Sequence, residues 1–458
     1  MNWVVNPTEY DHPLSYFHKA LSFILYPYPI MLIGLQEMTR KEKGLFALIL
    51  LFIVSLYFAH LSGINSVVTG LLVVYSFSFS TLREKWGIVK QRPYIMGMLL
   101  FFVALVISTL LSEDIGRGLH HLKIRLPLLL FPASIGLLQL KKSFIEKVLL
   151  SFAVITTLVA LVCLGTSIQT SGYFQRPEFL YNDALTGITR QQSIYVALAV
   201  NLAIYVFAKS LFFDQTKYKI LTSLAILFLF AFSYLLASRI MFALLLLATL
   251  CFSLYYILRE RKIVIGFALV ITLVVGTGVI YKLMPSTFNR YRELTYQKFE
   301  FDSRGKESHY NMEVTPDQWN GANFRLAAWT CGLEVFKSQP IKGVDLGDKD
   351  AVLLEKYKEK NFYIAIETDK NVHSNYLDVL FSLGVIGLIV FVLGWLILPL
   401  LFVFKTQNGL ALLFLLTFAA AWITEVYFGK NFGTMLVGFF IPFVLIPTPN
   451  QETLEKQI

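Results

Sequence analysis

Residues 218–283 read YKILTSLAILFLFAFSYLLASRIMFALLLLATLCFSLYYILRERKIVIGFALVITLVVGTGVIYKL. Three apolar runs, 218–237, 240–258 and 263–283, follow one another, interrupted only by Ser238-Arg239 and by Arg259-Glu260-Arg261-Lys262. A bilayer core roughly 30 Å thick needs about 20 apolar residues per helix, and each run meets that length. An aqueous core has no place for three such runs in succession, so the segment predicts membrane helices.

Outward from it the same pattern recurs near 20–36, 44–61, 63–82, 94–111, 124–140, 144–166 and 191–213, then at 376–404, 409–425 and 431–446. The expected fold is all-α: a polytopic membrane bundle of twelve or thirteen transmembrane helices with a large helical extracytoplasmic loop. The first span, ALSFILYPYPIMLIGLQ, is short and carries Pro27 and Pro29, and it decides between the two numbers. Composition agrees: 56% of the 458 residues are hydrophobic and 15% charged, which excludes an ordinary soluble domain. Residues 1–19 lack the basic start and small-residue cleavage site of a signal peptide, so the mature chain is expected to begin there.

The net charge of +10 is spread over short loops rather than gathered on one domain, which speaks for membrane topology and against nucleic acid. Loops 39–43, 83–92, 141–147, 209–219 and 259–262 hold about sixteen Lys and Arg, and the alternating loops 60–65, 112–125, 167–190 and 238–239 about six. The first set is therefore expected to be cytoplasmic. The chain then divides into a first membrane part (1–283), an extracytoplasmic loop (284–373), and C-terminal membrane helices with a cytoplasmic tail (374–458). A structureless loop of that size is improbable, and helices are expected at 322–338 and 351–360. Of the three cysteines only Cys331 lies in the loop, so no disulfide forms within it.

Candidate chemistry gathers at the outer face. Arg325 and Trp329 are four apart on a predicted helix and share a face. Asn375 is expected as N-cap of the next membrane helix with Asp378 three residues on, leaving His373 just outside the positive end of that helix, where the dipole favours a neutral imidazole able to act as a base. Arg239 opens a membrane helix and needs an anion or a wet cavity. Glu425 ends the span ALLFLLTFAAAWITE, and Arg190 and Arg176 lie in the 167–190 loop. Each alone has a plain alternative: a snorkelling Arg, a belt Trp, a loop carboxylate. No GxxxxGK[ST], GxGxxG or HExxH occurs, and the spans carry few ionisable groups, which speaks against nucleotide hydrolysis, zinc peptidase chemistry and proton-coupled transport.

These residues resemble the O-antigen ligase and polymerase superfamily of lipid-linked glycan transferases. The matching pieces are Ser238-Arg239 opening a helix, Arg325 and Trp329 followed by Pro340-Ile-Lys-Gly343-Val-Asp-Leu-Gly347, and His373-Ser-Asn-Tyr-Leu with Gly384-Val-Ile-Gly387 behind, over roughly residues 220–446. Asp345 departs from the pattern, standing where many members have glycine. The resemblance implies an inverting, metal-independent glycosyltransferase without cofactor, in the bacterial inner membrane with its site facing the periplasm. It would move a glycan from an undecaprenyl-diphosphate carrier to a lipid A-core hydroxyl in lipopolysaccharide biosynthesis. His373, Arg325 and Arg239 would be catalytic, and Arg190, Glu425, Trp329 and Asn375 would bind diphosphate or glycan. An O-antigen or exopolysaccharide polymerase, or a lipid-linked glycan flippase, remain alternatives. The sequence leaves ligase versus polymerase open.

Overall fold

The computed structural model describes residues 38–214, 216–283, 292–308 and 318–447. Among the described residues the structure is helical, without strands and with one isolated β-bridge, Glu307 to Trp319. The 20–36 segment, the C-terminal tail and parts of the 284–373 loop lie outside the described residues.

Among the described residues six helices are long and apolar enough to cross a membrane: Ala59–Phe77, Pro93–Leu111, Lys142–Phe174, Ser193–Phe212, Arg239–Leu258 and Asn375–Thr406. Shorter apolar helices, Lys219–Leu235, Ile263–Val279, Gly409–Thr424 and Asn431–Val444, pack beside them. The Arg40–Tyr57 helix begins with four charged residues in its first five and is closed by a Thr39–Glu42 capping box before turning apolar.

Three expected segments change on folding. The 124–140 run is not one helix: Ile115–Arg125 ends before Pro127–Ala133, and a 3-10 turn, Ile135–Leu137, follows. Pro127 and Pro132 remove the amides that would continue it. The 144–166 run lengthens to Lys142–Phe174, 33 residues, roughly 50 Å at 1.5 Å per residue, so it projects beyond a bilayer core. Residues 83–92, expected as a loop, form the helix Leu82–Gln91, capped by Thr81 and Glu84. Leu82 and Trp86 are exposed on it, as on a helix lying along an interface.

Contacts between loops sort into two ends. At one, Lys41 Nζ donates to Ser78 O, Arg92 to Gly136 O, Lys209 to Glu146 and Tyr256 OH to Phe212 O. At the other, Gln191 donates to Leu56 O, Thr434 to Ile124 O, and the Glu113 and Asp114 amides to Asp348. This partition is the one expected from the Lys/Arg counts, with the basic loops together.

The second end carries the cap. Its helices Asn323–Ser338 and Lys349–Glu359 fall close to the expected 322–338 and 351–360, and a short helix, Tyr363–Glu367, follows. A separate aromatic core of Trp319, Phe324, Tyr357 and Phe362 holds it together. The cap is wedged into the bundle where Asn375–Val392 breaks at Gly384 (φ 66°, ψ −170°). Val344 and Asp345 amides donate to Phe381 O and Ser382 O, and the Val385 amide to Pro340 O, so the carbonyls and amide released by the break are bonded by the cap. Gly343 (φ 74°) crosses Gly384 backbone to backbone, where a Cβ on either would lie within 2.5 Å of main-chain atoms.

Candidate active site

His373 stands ahead of the Asn375–Val392 helix in a left-handed conformation (φ 46°), held by its own amide bonding Asn371 Oδ1 at 2.8 Å. The N-cap is Ser374, whose hydroxyl accepts from the Leu377 amide. Asn375 is therefore not the cap expected from the sequence. It is the first helical residue, fully buried, and its Oδ1 accepts from the Phe428 amide at 3.1 Å, tying this helix to the turn after Glu425.

Glu425 follows the Gly409–Thr424 helix, and its Oε2 lies 2.9 Å from His373 Nδ1. Both side chains are largely enclosed, 20% and 10% exposed. Burial pushes the Glu425 carboxyl up, but the His373 hydrogen bond, the charges of His373 and Arg325, and the Val426 amide outweigh it and hold the group below the usual carboxylate range. An ionised carboxylate can only accept, so Nδ1 donates, and in the neutral imidazole the lone pair is then on Nε2. The edge of Phe324 packs on the imidazole, 5.6 Å between ring centroids.

Arg325, beside Phe324 on the cap helix, donates from Nε to Thr424 O at 3.1 Å and from Nη1 to Gly321 O. The guanidinium so caps the C-terminus of the Gly409–Thr424 helix next to Glu425. Arg239 reaches the same place from its membrane helix. A Cβ on Gly321 would lie 2.3 Å from Arg239 Nη2 and 3.0 Å from Arg325 Nη1, so both guanidiniums flank one glycine that must lack a side chain. The groups form a row: Arg239, Arg325, Glu425, His373. Trp329 sits one turn along from Arg325, half-buried against the cap core, its buried Nε1 without a hydrogen bond among the described residues.

Arg190 is not brought into the row. It is exposed, at the left-handed end of the Gly187–Thr189 turn. Its charge falls on His60, whose pKa is lowered first by burial and then by Arg190. Among the described residues no hydrogen bond or ion pair ties it to His373, Glu425 or Arg325. Arg176 pairs loosely with Glu178 at 3.9 Å.

Behind the row lies a charge cluster that sequence reasoning did not find. Asp378 accepts from Arg125 at 3.1 Å and from Lys349, all three at most 5% exposed. Asp350 binds His121 at 2.9 Å and, more distantly, Arg117. Residues from three separate stretches meet there, and only the lone carboxylate one turn into an apolar helix hinted at it.

The family model described as O-Antigen ligase matches residues 224–392. Over that segment the chain is similar to the O-antigen ligase family. The match covers Arg239, Arg325, Trp329 and His373, and ends before Glu425. No curated protein matches the chain. The match does not choose between a ligase and a polymerase. The local geometry accounts for Asp345. Its backbone takes the left-handed form (φ 71°) that glycine favours. Asp tolerates that form better than most residues, and here its Oδ1 accepts from Ser108 at 3.0 Å.

Proposed function

We propose that this protein transfers a glycan from an undecaprenyl-diphosphate carrier to a sugar hydroxyl of lipid A-core, at the outer face of the bacterial inner membrane. The observation that carries the proposal is the row itself. Two guanidiniums adjoin a carboxylate-bound imidazole at the end of the bundle away from the basic loops.

His373 Nε2 takes the acceptor proton as the hydroxyl oxygen attacks the anomeric carbon. The bond from that carbon to the phosphate oxygen breaks, its electron pair leaves on the diphosphate, and attack opposite the leaving group inverts the centre. Arg325 and Arg239 meet the growing charge with donors already in place. Glu425 fixes the His373 tautomer and favours the imidazolium that forms, so it is a positioning residue. The charge on the two Arg suits phosphate without a metal bridge, and chelator is expected to leave transfer by purified protein unchanged.

Charge location favours an enzyme over a flippase, which needs polar groups along a path between leaflets. The buried charges among the described residues, Lys85, Arg92, Arg125, Asp345, Lys349, Asp378 and Glu425, lie toward the two ends of the bundle. The deciding experiment is the lipopolysaccharide ladder of a deletion strain. Free lipid-linked polymer with unsubstituted core supports the ligase. Core bearing a single repeat would replace it with a polymerase, and an unchanged ladder would remove both.

A further inference from the structure

We propose that the groove between the Lys142–Phe174 and Lys219–Leu235 helices holds one acyl chain of an anionic glycerophospholipid, whose phosphate is met by Lys217 and Lys219 at the groove's mouth. The groove lies at the end of the bundle that carries the basic loops, away from the row of Arg239, Arg325, Glu425 and His373. It depends on none of the donor chemistry proposed above.

Both helices pack on Ser193–Phe212, and the space between them is a cavity of about 150 Å³. Leu150, Val154, Leu158 and Leu161, spaced three and four apart on one helical face, form one wall. Phe207, fully buried, closes the back, and the first turns of Lys219–Leu235 form the other wall. Leu161 and Leu221 line the cavity and are exposed, so it opens sideways to hydrocarbon. From Leu150 to Leu161 the wall runs roughly 16 Å at 1.5 Å per residue, about half of a 30 Å bilayer core. That is one leaflet's depth. Left empty, so apolar a lining would lose the dispersion contacts of close packing, and water does not replace them.

The mouth identifies the headgroup. Thr216 and Tyr218 line the cavity, and Tyr218 is the N-cap residue of Lys219–Leu235, so the positive end of that helix opens on it. Lys217 lies between them, exposed, with its ammonium 5.1 Å from the centre of the Tyr218 ring. Lys219, also exposed, follows. The 209–219 loop meets the start of the Lys142–Phe174 helix through Lys209 and Glu146 at 3.1 Å. Together these two segments hold Lys141, Lys142, Lys147, Lys209, Lys217 and Lys219 against Glu146 and Asp214, six cations less two anions, a net +4. Lys209 itself bonds both carboxylates. A zwitterionic headgroup would bring a further cation into that field, whereas a phosphate without one neutralises it, so the groove selects an anionic lipid.

The test uses the delipidated full-length protein in detergent, with a phosphatidylglycerol carrying a photoreactive diazirine in its acyl chain, and maps the cross-links by mass spectrometry. Labelling is expected within 150–161 and 221–225, displaced by unlabelled phosphatidylglycerol at roughly ten-fold lower concentration than by phosphatidylcholine of the same chains. Lys217→Gln combined with Lys219→Gln should abolish that preference and leave the labelled segments unchanged. Ala225→Phe, which puts a ring into the groove, should remove the labelling. Equal displacement by the two phospholipids would overturn the proposal, and so would a preference that survives the double Lys variant. Displacement by a neutral polyprenol ahead of either phospholipid would give the groove to a prenyl chain instead, and labelling elsewhere would remove the site. Should Ala225→Phe fold poorly, the double variant, altered only at exposed positions, decides alone.

Discussion

At the residue scale, chemistry and binding separate at His373 and Arg325. His373→Ala is expected to lower turnover by roughly 10² to 10⁴-fold with little change in donor affinity, because only proton transfer is lost. Glu425→Gln keeps the size but not the charge of the group on Nδ1. An amide can present either its oxygen or its NH₂ to Nδ1, so the tautomer is no longer fixed, and turnover should fall by roughly 10² or more while the protein remains folded. Both are read by steady-state transfer at matched folded concentration, and near-normal turnover of His373→Ala would take the base out of this mechanism. Arg325→Lys should also be damaging. An ammonium has no planar fork, and it cannot at once cap Thr424 O, reach Gly321 O and face phosphate. Full activity of that variant would instead make Arg325 a loop anchor.

At the element scale, the site depends on how the cap is strapped to the broken Asn375–Val392 helix. Asp378 neutralises two buried cations from different segments. Asp378→Asn removes the nearest counter-charge of both, leaving Lys349 only Asp350 at 3.8 Å, and the stability in detergent should fall by about 3 to 5 kcal/mol. Replacing Arg125, Lys349 and Asp378 together by apolar residues of similar volume should cost far less, and equal losses would show that packing rather than charge is at stake. Acid should loosen the same strap. Burial raises the Asp350 carboxyl, but the His121 bond and the Lys349, His121 and Arg117 charges outweigh it and hold it well below its ordinary value. Burial first, and then Lys349 and Arg125, lower His121 despite Asp350. Both groups bind fewer protons folded than unfolded, so their contribution is full above the unfolded pKa values. It declines as pH falls below about 6.5 for His121 and about 3.9 for Asp350. The thermal midpoint of the detergent-solubilised protein should drop across the upper window, and His121→Asn should flatten that drop. A midpoint rising on acidification would reverse the sign of the coupling.

At the scale of the whole molecule, the mechanism requires the cap to be extracytoplasmic. An impermeant thiol reagent on intact cells should label Glu359→Cys, an exposed cap position, and miss Arg261→Cys in the basic loop after the Arg239–Leu258 helix, in a Cys251→Ser background. The reverse pattern would turn the site toward the cytoplasm and sink the lipid A-core acceptor. The sequence by itself determined the class of fold and the grouping of loops, because apolar run length and Lys/Arg bias are local quantities set by the bilayer. It also marked Arg239, Arg325, His373 and Glu425 as residues on one face, since a charged group at a span's end or in the long loop between spans is visible without any fold. Only the tertiary structure decided which of them meet. The His373–Glu425 bond joins residues 52 apart in sequence and the Arg325–Thr424 bond residues 99 apart, while Arg190, equally eligible by position, faces His60 instead. The N-cap moved from Asn375 to Ser374, and Asp378 became the centre of a three-segment cluster, for the same reason. Partners of a buried polar group are set by which helices pack against it, and helix packing follows side-chain shape over the whole bundle rather than any spacing along the chain.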